Sequence, residues 1–347
     1  MSVVAHRGLA CAMLMLWAVE IIPQSKPGGG SGERVTRIER LDPALDRLIA
    51  PGAAVETLAE GYDWSEGPIW VREGGFLLFS DVPRNVIHKW KQGEGAHVYL
   101  TPSGYTGTVP RGGEMGSNGL LLDRDGRLVI CQHGDRRVAR MEAPVSKPQP
   151  RFTTLAERYK GARFNSPNDA VFHSNGDLYF TDPPYGMEKQ FEDPGREIAF
   201  QGVYRRNTKG EITLLTKDMT RPNGLAFSPD EKRLYVAQSD PAAAIWQVFD
   251  VKPDGTLGSG RILFDATAMV KTHPGLPDGL KIDTEGNLFA TGPGGVLVIS
   301  PEGKHLGTIV TGQATSNCAF GDDGRMLYVT ADMYLMRVPL KARGVGF

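Results

Sequence analysis

The sequence is poor in cysteine, nearly neutral and without a long apolar segment. Three cysteines in 347 residues are too few for a disulfide framework. Cys131 and Cys318 are expected to be buried free thiols, since a bridge would require them to face each other across the fold. A formal net charge of −1 offers no basic surface to nucleic acid or to a membrane. The apolar stretch from Leu9 to Trp17 is shorter than the roughly twenty residues that cross a bilayer.

The sequence also lacks the motifs of two common classes of enzyme. It contains no Gly-x-Ser-x-Gly segment, so no serine nucleophile on a strand-to-helix turn is predicted. The glycines at 112–113 and 292–295 lack the strand and helix context of a phosphate-binding loop. Neither covalent serine chemistry nor a bound nucleotide is therefore expected.

Six segments of the chain share one layout. In each, a side chain with a carbonyl oxygen opens an apolar strand, a turn follows, and a second apolar strand returns. The segments recur at about fifty residues, which predicts a repeat architecture. The residues that open them, here called the anchor residues, are Glu66, Asn118, Asn168, Asn223, Asp278 and Asn317.

This repeat predicts an all-β fold, a six-bladed β-propeller. Residues 33–347 are expected to form this single domain. A strand from Ala54 to Ala59 would pair with the C-terminal strand from Tyr334 to Leu340, so that the last blade closes the ring without a free edge. A short helix is predicted from Pro43 to Ile49.

Residues 1–32 differ in composition from the rest of the chain. A charged start, the apolar stretch noted above and a run rich in Pro, Gly and Ser are typical of a secretory signal peptide. A periplasmic or secreted protein is therefore expected. Glu20 and the lack of an Ala-x-Ala cleavage site keep open the alternative, a disordered extension on a cytoplasmic protein.

The two strands of each segment run in opposite directions, so the anchor residues and the strand ends near Asp81, His133 and Asp182 should gather at one rim of the ring. Oxygen ligands from Glu, Asp and Asn select hard cations such as calcium, Ca2+. No anchor is His or Cys, which argues against zinc. Two acidic anchors among neutral amides would balance a divalent cation. Any single Asn-Gly or Asp-Gly pair could instead be a simple turn.

Four segments make the chain resemble a known family. EGPIW, FNSPNDAV with LYFTDPPYG, RPNGLAFSPD and GLPDGLKID are similar to motifs of the SMP-30/gluconolactonase/LRE family of six-bladed propellers, bacterial gluconolactonases in particular. The resemblance extends from about Leu41 to Val338. It implies a calcium-type cation in the tunnel, with Zn2+, Mg2+ or Mn2+ as further options, and hydrolysis of lactones. The metal ligands that it implies are Glu66, Asn168, Asn223 and Asp278.

Other residues are assigned around this centre. Asp278 is the base that the resemblance implies, but a carboxylate bound to metal is a weak base, so Asp169 is the alternative. His133, as a group that titrates near neutrality, is expected to move protons or to bind a sugar hydroxyl. Further predicted substrate contacts are Asn118, Asp182 and Tyr185. Asn317 is expected to be structural, because Cys318 replaces the usual glycine.

The expected activity is hydrolysis of a sugar lactone such as D-glucono-1,5-lactone to the aldonic acid. The long loops 101–117 and 183–199 adjoin the anchor rim and are expected to bind substrate or to act as lids. The partner is a small molecule, not nucleic acid or membrane, and the protein is a monomer or a homodimer. Two alternatives stay open: a metal-dependent phosphotriesterase or arylesterase-like hydrolase, and a propeller that binds without chemistry.

Overall fold

A computed structural model describes residues 35–347, which fold as a six-bladed β-propeller of antiparallel sheets. The predicted leader, residues 1–32, lies outside the described residues. The chain enters through β1 (Arg37–Arg40), the helix α1 (Leu45–Leu48) and β2 (Glu56–Glu60). No helix within residues 35–347 has the length and apolar character needed to cross a membrane.

The blades follow one another along the chain, each starting with its innermost strand. Blade 1 consists of β3 (Ser65–Val71), β4 (Phe76–Asp81), β5 (Val86–Lys91) and β6 (Gly95–Leu100). Blade 2 consists of β7 (Ser117–Leu122), β8 (Leu128–Gln132), β9 (Arg137–Met141) and β10 (Phe152–Ala156). A short ribbon, β11 (Arg158–Tyr159) and β12 (Ala162–Arg163), leads to the next blade.

Blade 3 consists of β13 (Ala170–Phe172), β14 (Leu178–Asp182), β15 (Gly202–Arg206) and β16 (Ile212–Thr216). Blade 4 consists of β17 (Pro222–Phe227), β18 (Arg233–Asp240), β19 (Ala243–Asp250) and β20 (Arg261–Asp265). Blade 5 consists of β21 (Leu280–Ile282), β22 (Leu288–Gly292), β23 (Gly295–Ile299) and β24 (His305–Val310). Blade 6 consists of β25 (Thr315–Gly321), β26 (Met326–Ala331) and β27 (Tyr334–Pro339). Single 3₁₀ turns lie at Gln190–Glu192 and Met269–Lys271.

The ring closes as the sequence predicts. Strand β2 pairs with β27, placing Glu56 opposite Arg337, and so supplies the fourth strand of blade 6. One feature was not predicted: β1 adds a fifth strand to blade 5 by pairing with β24. The segment Arg37–Arg40 has a single apolar residue, so its pairing depends on backbone hydrogen bonds and leaves no alternating pattern in the sequence. The helix is shorter than predicted because Ile49 is already extended.

Apolar side chains fill the space between every pair of adjacent blades. Six clusters of buried residues can be distinguished, and each draws its members from two neighbouring blades, including blades 6 and 1. Trp70 of blade 1 stacks on Tyr328 of blade 6 with ring centroids 5.3 Å apart. Cys131 and Cys318 lie in two of these clusters as free thiols, which confirms the prediction.

The glycines that follow anchor residues lie where two blades come closest. Gly224 donates its N–H to the carbonyl oxygen of Asp278 in the next blade (3.1 Å), and a Cβ on Gly224 would lie 2.3 Å from that oxygen. Gly119 likewise donates to the carbonyl oxygen of Asn168 (2.8 Å). Both glycines belong to strands, so these anchor–glycine pairs are not hairpin turns. Glycine is required at these two positions because neighbouring blades are in contact there.

Replacing Gly224 by alanine is therefore expected to destabilise the propeller by about 1–3 kcal/mol, because the new methyl group would force blades 4 and 5 apart. Urea unfolding followed by circular dichroism measures the change. Gly52→Ala is the matched control, since nothing lies within 4 Å of the added Cβ there and its φ is not positive. Equal stability of the two variants would show that the blades accommodate the methyl group.

Candidate metal and active site

The anchor residues lie on or directly before the innermost strand of each blade, at one end of the tunnel. Glu66, Asn118, Asn223 and Asn317 belong to β3, β7, β17 and β25. Asn168 and Asp278 precede β13 and β21. Contacts link neighbouring anchors: for example, Asn317 Nδ2 donates to Glu66 Oε2 (3.1 Å) across blades 6 and 1. The predicted gathering of the anchors at one rim is confirmed.

Several oxygen atoms in this region have no hydrogen-bond partner although they are buried. They are Asn118 Oδ1, Asn168 Oδ1, Asp169 Oδ2 and Asp278 Oδ1. A buried polar atom without a partner costs free energy, so a cluster of such atoms requires an explanation. Carboxylate and amide oxygens are the ligands that calcium prefers. The chemistry of the unpartnered atoms therefore fits a hard cation.

The acidic residues alone do not complete a metal site. Within residues 35–347, no three His, Cys, Asp or Glu side chains converge closely enough to hold a metal ion. The candidate donors are two carboxylates, Glu66 and Asp278, and the amides of Asn168 and Asn223. Such a mixed donor set needs its amide oxygens turned toward the cation, so the orientation of each amide matters.

Hydrogen bonds orient two of the candidate ligands. The backbone N–H of Gly67 donates to Glu66 Oε2 (2.5 Å), the same atom that Asn317 contacts. Asn223 Nδ2 donates to Ser239 Oγ (2.9 Å), which leaves its oxygen to face a cation. Supporting bonds of this kind are typical of metal sites, because they fix which atom each ligand presents. Asn317 has a supporting role here, as predicted.

Burial makes the carboxyl groups of the site hard to ionise. It raises the pKa of Glu66 to about 7. Burial, followed by the negative charge of Glu66, raises the pKa of Asp278 well above its usual range. Burial also raises the pKa of Asp169. Several carboxylates in one buried space cannot all carry charge unless a cation compensates them.

Asp169 takes the position that glycine occupies after other anchors. Its Oδ1 accepts the N–H of Ala170 (2.8 Å), and its Oδ2 is one of the unpartnered atoms. A Cβ on Gly119 would lie 2.6 Å from Asp169 Oδ1, so the carboxylate packs between blades 2 and 3. Its role as a base stays a prediction.

His133 directly follows β8 and is completely buried, and neither of its ring nitrogens has a hydrogen-bond partner. Burial lowers the pKa of His133 to about 3. Burial thus favours the neutral imidazole, and the predicted role of His133 in moving protons or binding a sugar hydroxyl stays a prediction. Its Nδ1 lies 3.7 Å from Glu114 Oε2.

Asp182 has a supporting position rather than the predicted contact with substrate. Its two carboxylate oxygens accept the backbone N–H groups of Asn165 (2.8 Å) and Ser166 (2.9 Å), and the residue is fully buried. Asp182 thus fastens the segment that leads to Asn168. Asp81 does the same in blade 1, where it accepts from the backbone of Asp63 and Trp64.

Tyr185 lies next to the candidate ligands. Burial, followed by the negative charge of Asp278, raises the pKa of its phenol. The ring of Tyr185 also meets Phe191 edge to face, with centroids 6.2 Å apart. The structure thus brings Tyr185 to the site, where its predicted contact with substrate stays a prediction.

The two long loops contact each other beside the tunnel. The Arg111 guanidinium donates to the carbonyl oxygens of Gly134 (3.2 Å) and Gly186, and Gly112 donates to Glu188 (3.0 Å). A cleft of about 540 Å³ opens at this junction, and no anchor residue lines it. The loops therefore border the mouth of the site, with the cleft to its side.

Two charged residues near the site were missed by the sequence reasoning. Lys281 Nζ lies 3.4 Å from Asn317 Oδ1, on the same amide that contacts Glu66. The signal in the sequence that could have found Lys281 is a charged residue in the otherwise apolar inner strand β21. Glu114 is the only acidic residue of the loop 101–117, and that was the signal that could have found it. Its negative charge helps to raise the pKa of Asp278.

Comparison with known proteins places this propeller in a family. Residues 64–332 match the SMP-30/Gluconolactonase/LRE-like region, and the chain belongs to that family. The gluconolactonase of Zymomonas mobilis subsp. mobilis is 38% identical over 327 residues, which cover 92% of this chain and 91% of that protein. The pentonolactonase of Haloferax volcanii is 24% identical over 270 residues, or 76% and 80% of the two chains.

A solved structure agrees with this assignment. A gluconolactonase from Xanthomonas campestris superimposes with a TM-score of 0.74 at 31% identity, and the match covers 89% of this chain and 97% of that one. The resemblance found in the sequence motifs is therefore confirmed. The chain is an enzyme, a hydrolase of this family.

Proposed function

We propose that this hydrolase is a metal-dependent lactonase that opens a sugar lactone, such as D-glucono-1,5-lactone, to the aldonic acid. The observation that carries the metal dependence is that Asn168 Oδ1 and Asp278 Oδ1, on two of the proposed ligands, are buried without a hydrogen-bond partner. The similarity to the gluconolactonase of Zymomonas mobilis over nine-tenths of both chains supports the substrate class.

Glu66, Asn168, Asn223 and Asp278 would hold the cation, and calcium is the ion that best suits these oxygen donors. When bound, the cation polarises the carbonyl group of the ester bond. The chain's own residues position the reactants: the amide of Asn118 and the phenol of Tyr185 face the lactone hydroxyls. The buried walls of the tunnel exclude bulk water, which strengthens these polar contacts.

The test is hydrolysis of D-glucono-1,5-lactone before and after chelation, with calcium, magnesium, manganese and zinc added back separately. The spontaneous hydrolysis of the lactone is subtracted with a protein-free blank. Activity that is lost on chelation and restored by calcium supports the proposal. Undiminished activity after complete removal of metal would overturn the metal dependence. Turnover of paraoxon without turnover of any lactone would favour a phosphotriesterase instead.

A further inference from the structure

The amide of Asn317 lies between the two acidic candidate ligands. Its Nδ2 donates to Glu66 Oε2 in blade 1 (3.1 Å). Its Cγ and Oδ1 rest against Gly279, which directly follows Asp278 in blade 5, and a Cβ on Gly279 would lie 2.0 Å from both atoms. Asn317 itself is buried. Two blades therefore make room for this one side chain, although it is not among the candidate ligands.

The orientation of this amide is fixed by donors on its other side. Asn317 Oδ1 accepts the backbone N–H of Cys318 (2.9 Å) and the ammonium group of Lys281 (3.4 Å). A flipped amide would turn its NH₂ group toward these two donors and its oxygen toward the Glu66 carboxylate, so every contact would become unfavourable. Asn317 therefore presents a hydrogen-bond donor to Glu66, and its own oxygen is not available to a cation.

These contacts occupy one oxygen of the Glu66 carboxylate. Oε2 accepts the N–H of Gly67 (2.5 Å) as well as Nδ2 of Asn317. A carboxylate has about four lone-pair sites on its two oxygens, so two donors take up the share of Oε2. Oε1 is then the oxygen that Glu66 can offer to a cation.

The number of oxygens that Glu66 supplies affects which cation the site prefers. Calcium accepts a large, irregular shell of oxygens and binds carboxylates through one or both oxygens. Magnesium requires a near-ideal octahedron with shorter bonds, and the two oxygens of one carboxylate lie too close together to fill two of its corners. Binding through one oxygen therefore keeps the site open to magnesium, whereas binding through two would favour calcium.

We propose that Asn317 is a positioning residue that restricts Glu66 to binding through one oxygen, and that it thereby sets the cation selectivity of the site. This inference rests on the metal site of the proposed function. Without the Asn317 amide, Glu66 Oε2 loses one of its two donors and can turn toward the cation. Calcium then gains a further ligand oxygen, and magnesium does not.

The test is calorimetric titration of wild type and Asn317→Leu with calcium and with magnesium. Leucine has a similar volume but donates no hydrogen bond. We expect the ratio of the magnesium Kd to the calcium Kd to rise by about tenfold in Asn317→Leu, the size of effect that follows when a supporting partner of a metal ligand is removed. The ratio is informative because general damage to the fold lowers both affinities together.

Asn287→Leu is the matched control. Its buried amide also donates to a carboxylate, that of Asp283 (2.8 Å), but it does so at the end of the β21–β22 hairpin opposite Asp278. The ratio of the two Kd values in Asn287→Leu should equal that of the wild type, even if this variant is less stable.

A second measurement uses the wild type and so does not depend on the folding of a variant. In a crystal structure of the calcium complex, Glu66 Oε1 should lie about 2.3–2.6 Å from the cation. Oε2 should keep its contacts with Gly67 and Asn317. Calcium bound by both Glu66 oxygens in the wild type would overturn the inference.

The outcomes separate this inference from the proposed function. A Kd ratio in Asn317→Leu within about threefold of the wild-type ratio would overturn the inference, and this includes an equal loss of affinity for both cations. Lactone hydrolysis by the wild type that depends on a cation would still support the proposed function in that case. If the wild type binds neither cation and hydrolyses the lactone equally well in chelator, the proposed metal dependence has failed and the inference fails with it.

Discussion

Asp278→Asn should lower kcat/KM for the lactone by at least about a hundredfold and abolish stabilisation by calcium. The substitution removes one of two charged ligands, and losses of ten- to a hundredfold already follow when only a supporting partner of a ligand is removed. Asparagine has nearly the same shape, so the fold should persist. Chelated Asp278→Asn should even melt at a higher temperature than the chelated wild type, because it no longer buries a carboxyl group beside Glu66.

Lactone hydrolysis, calorimetric titration with calcium and thermal unfolding in chelator are the three measurements. Asp250→Asn is the control, since Asp250 is exposed at the end of β19 and away from the site. Wild-type activity together with wild-type calcium affinity in Asp278→Asn would refute the assignment of this ligand. A variant that is inactive but still stabilised by calcium would show that Asp278 acts on the substrate and not on the cation.

The stabilisation by calcium should increase as the pH rises from about 5 to about 8. The cause is the raised pKa of the carboxyl groups of the two acidic ligands, which is about 7 for Glu66 and well above the usual range for Asp278. In this pH range, the chelated folded protein keeps their protons while the unfolded chain releases them. The free energy of unfolding of the chelated protein therefore falls as the pH rises, until the pH exceeds the pKa values of these groups in the folded state.

Calcium removes this loss of stability at higher pH, because its ligands are ionised when it binds. At about 1.4 kcal/mol per pKa unit, Glu66 alone accounts for about 3 kcal/mol, or several degrees in Tm. The measurement is the difference in Tm with and without calcium at each pH. Buried histidines such as His133, whose pKa is lowered, change both curves equally and cancel in the difference. A difference that is constant or that shrinks between pH 5 and 8 would contradict the proposed ligand set.

The pattern of the sequence was sufficient for the fold and for the ring of anchor residues. Propeller blades are local hairpins, so each one leaves its own strands and turn in about fifty consecutive residues. The pairing of the N-terminal strand with β27 also followed, because an unpaired edge in a closed ring is unfavourable. In contrast, β1 was missed, since a strand held mainly by backbone hydrogen bonds leaves little trace in the side chains.

Individual roles at the site depended on three-dimensional contacts. Asp182 and Asp169 are the same kind of residue in the same blade, yet one supports the backbone through both oxygens and the other keeps an oxygen free. The charge state of His133 could not be read from its position at a strand end, because burial by Gly186 and the loop 101–117 sets it.

The amino-acid sequence thus determined the architecture and the chemical type of the candidate ligands, because both repeat with the period of the blades. The tertiary structure decided which carboxylates are committed and which stay available. Glu114 comes to His133 from a loop without any repeat, and Lys281 reaches Asn317 from a neighbouring blade. Such contacts join residues far apart in the chain, and no local pattern encodes them.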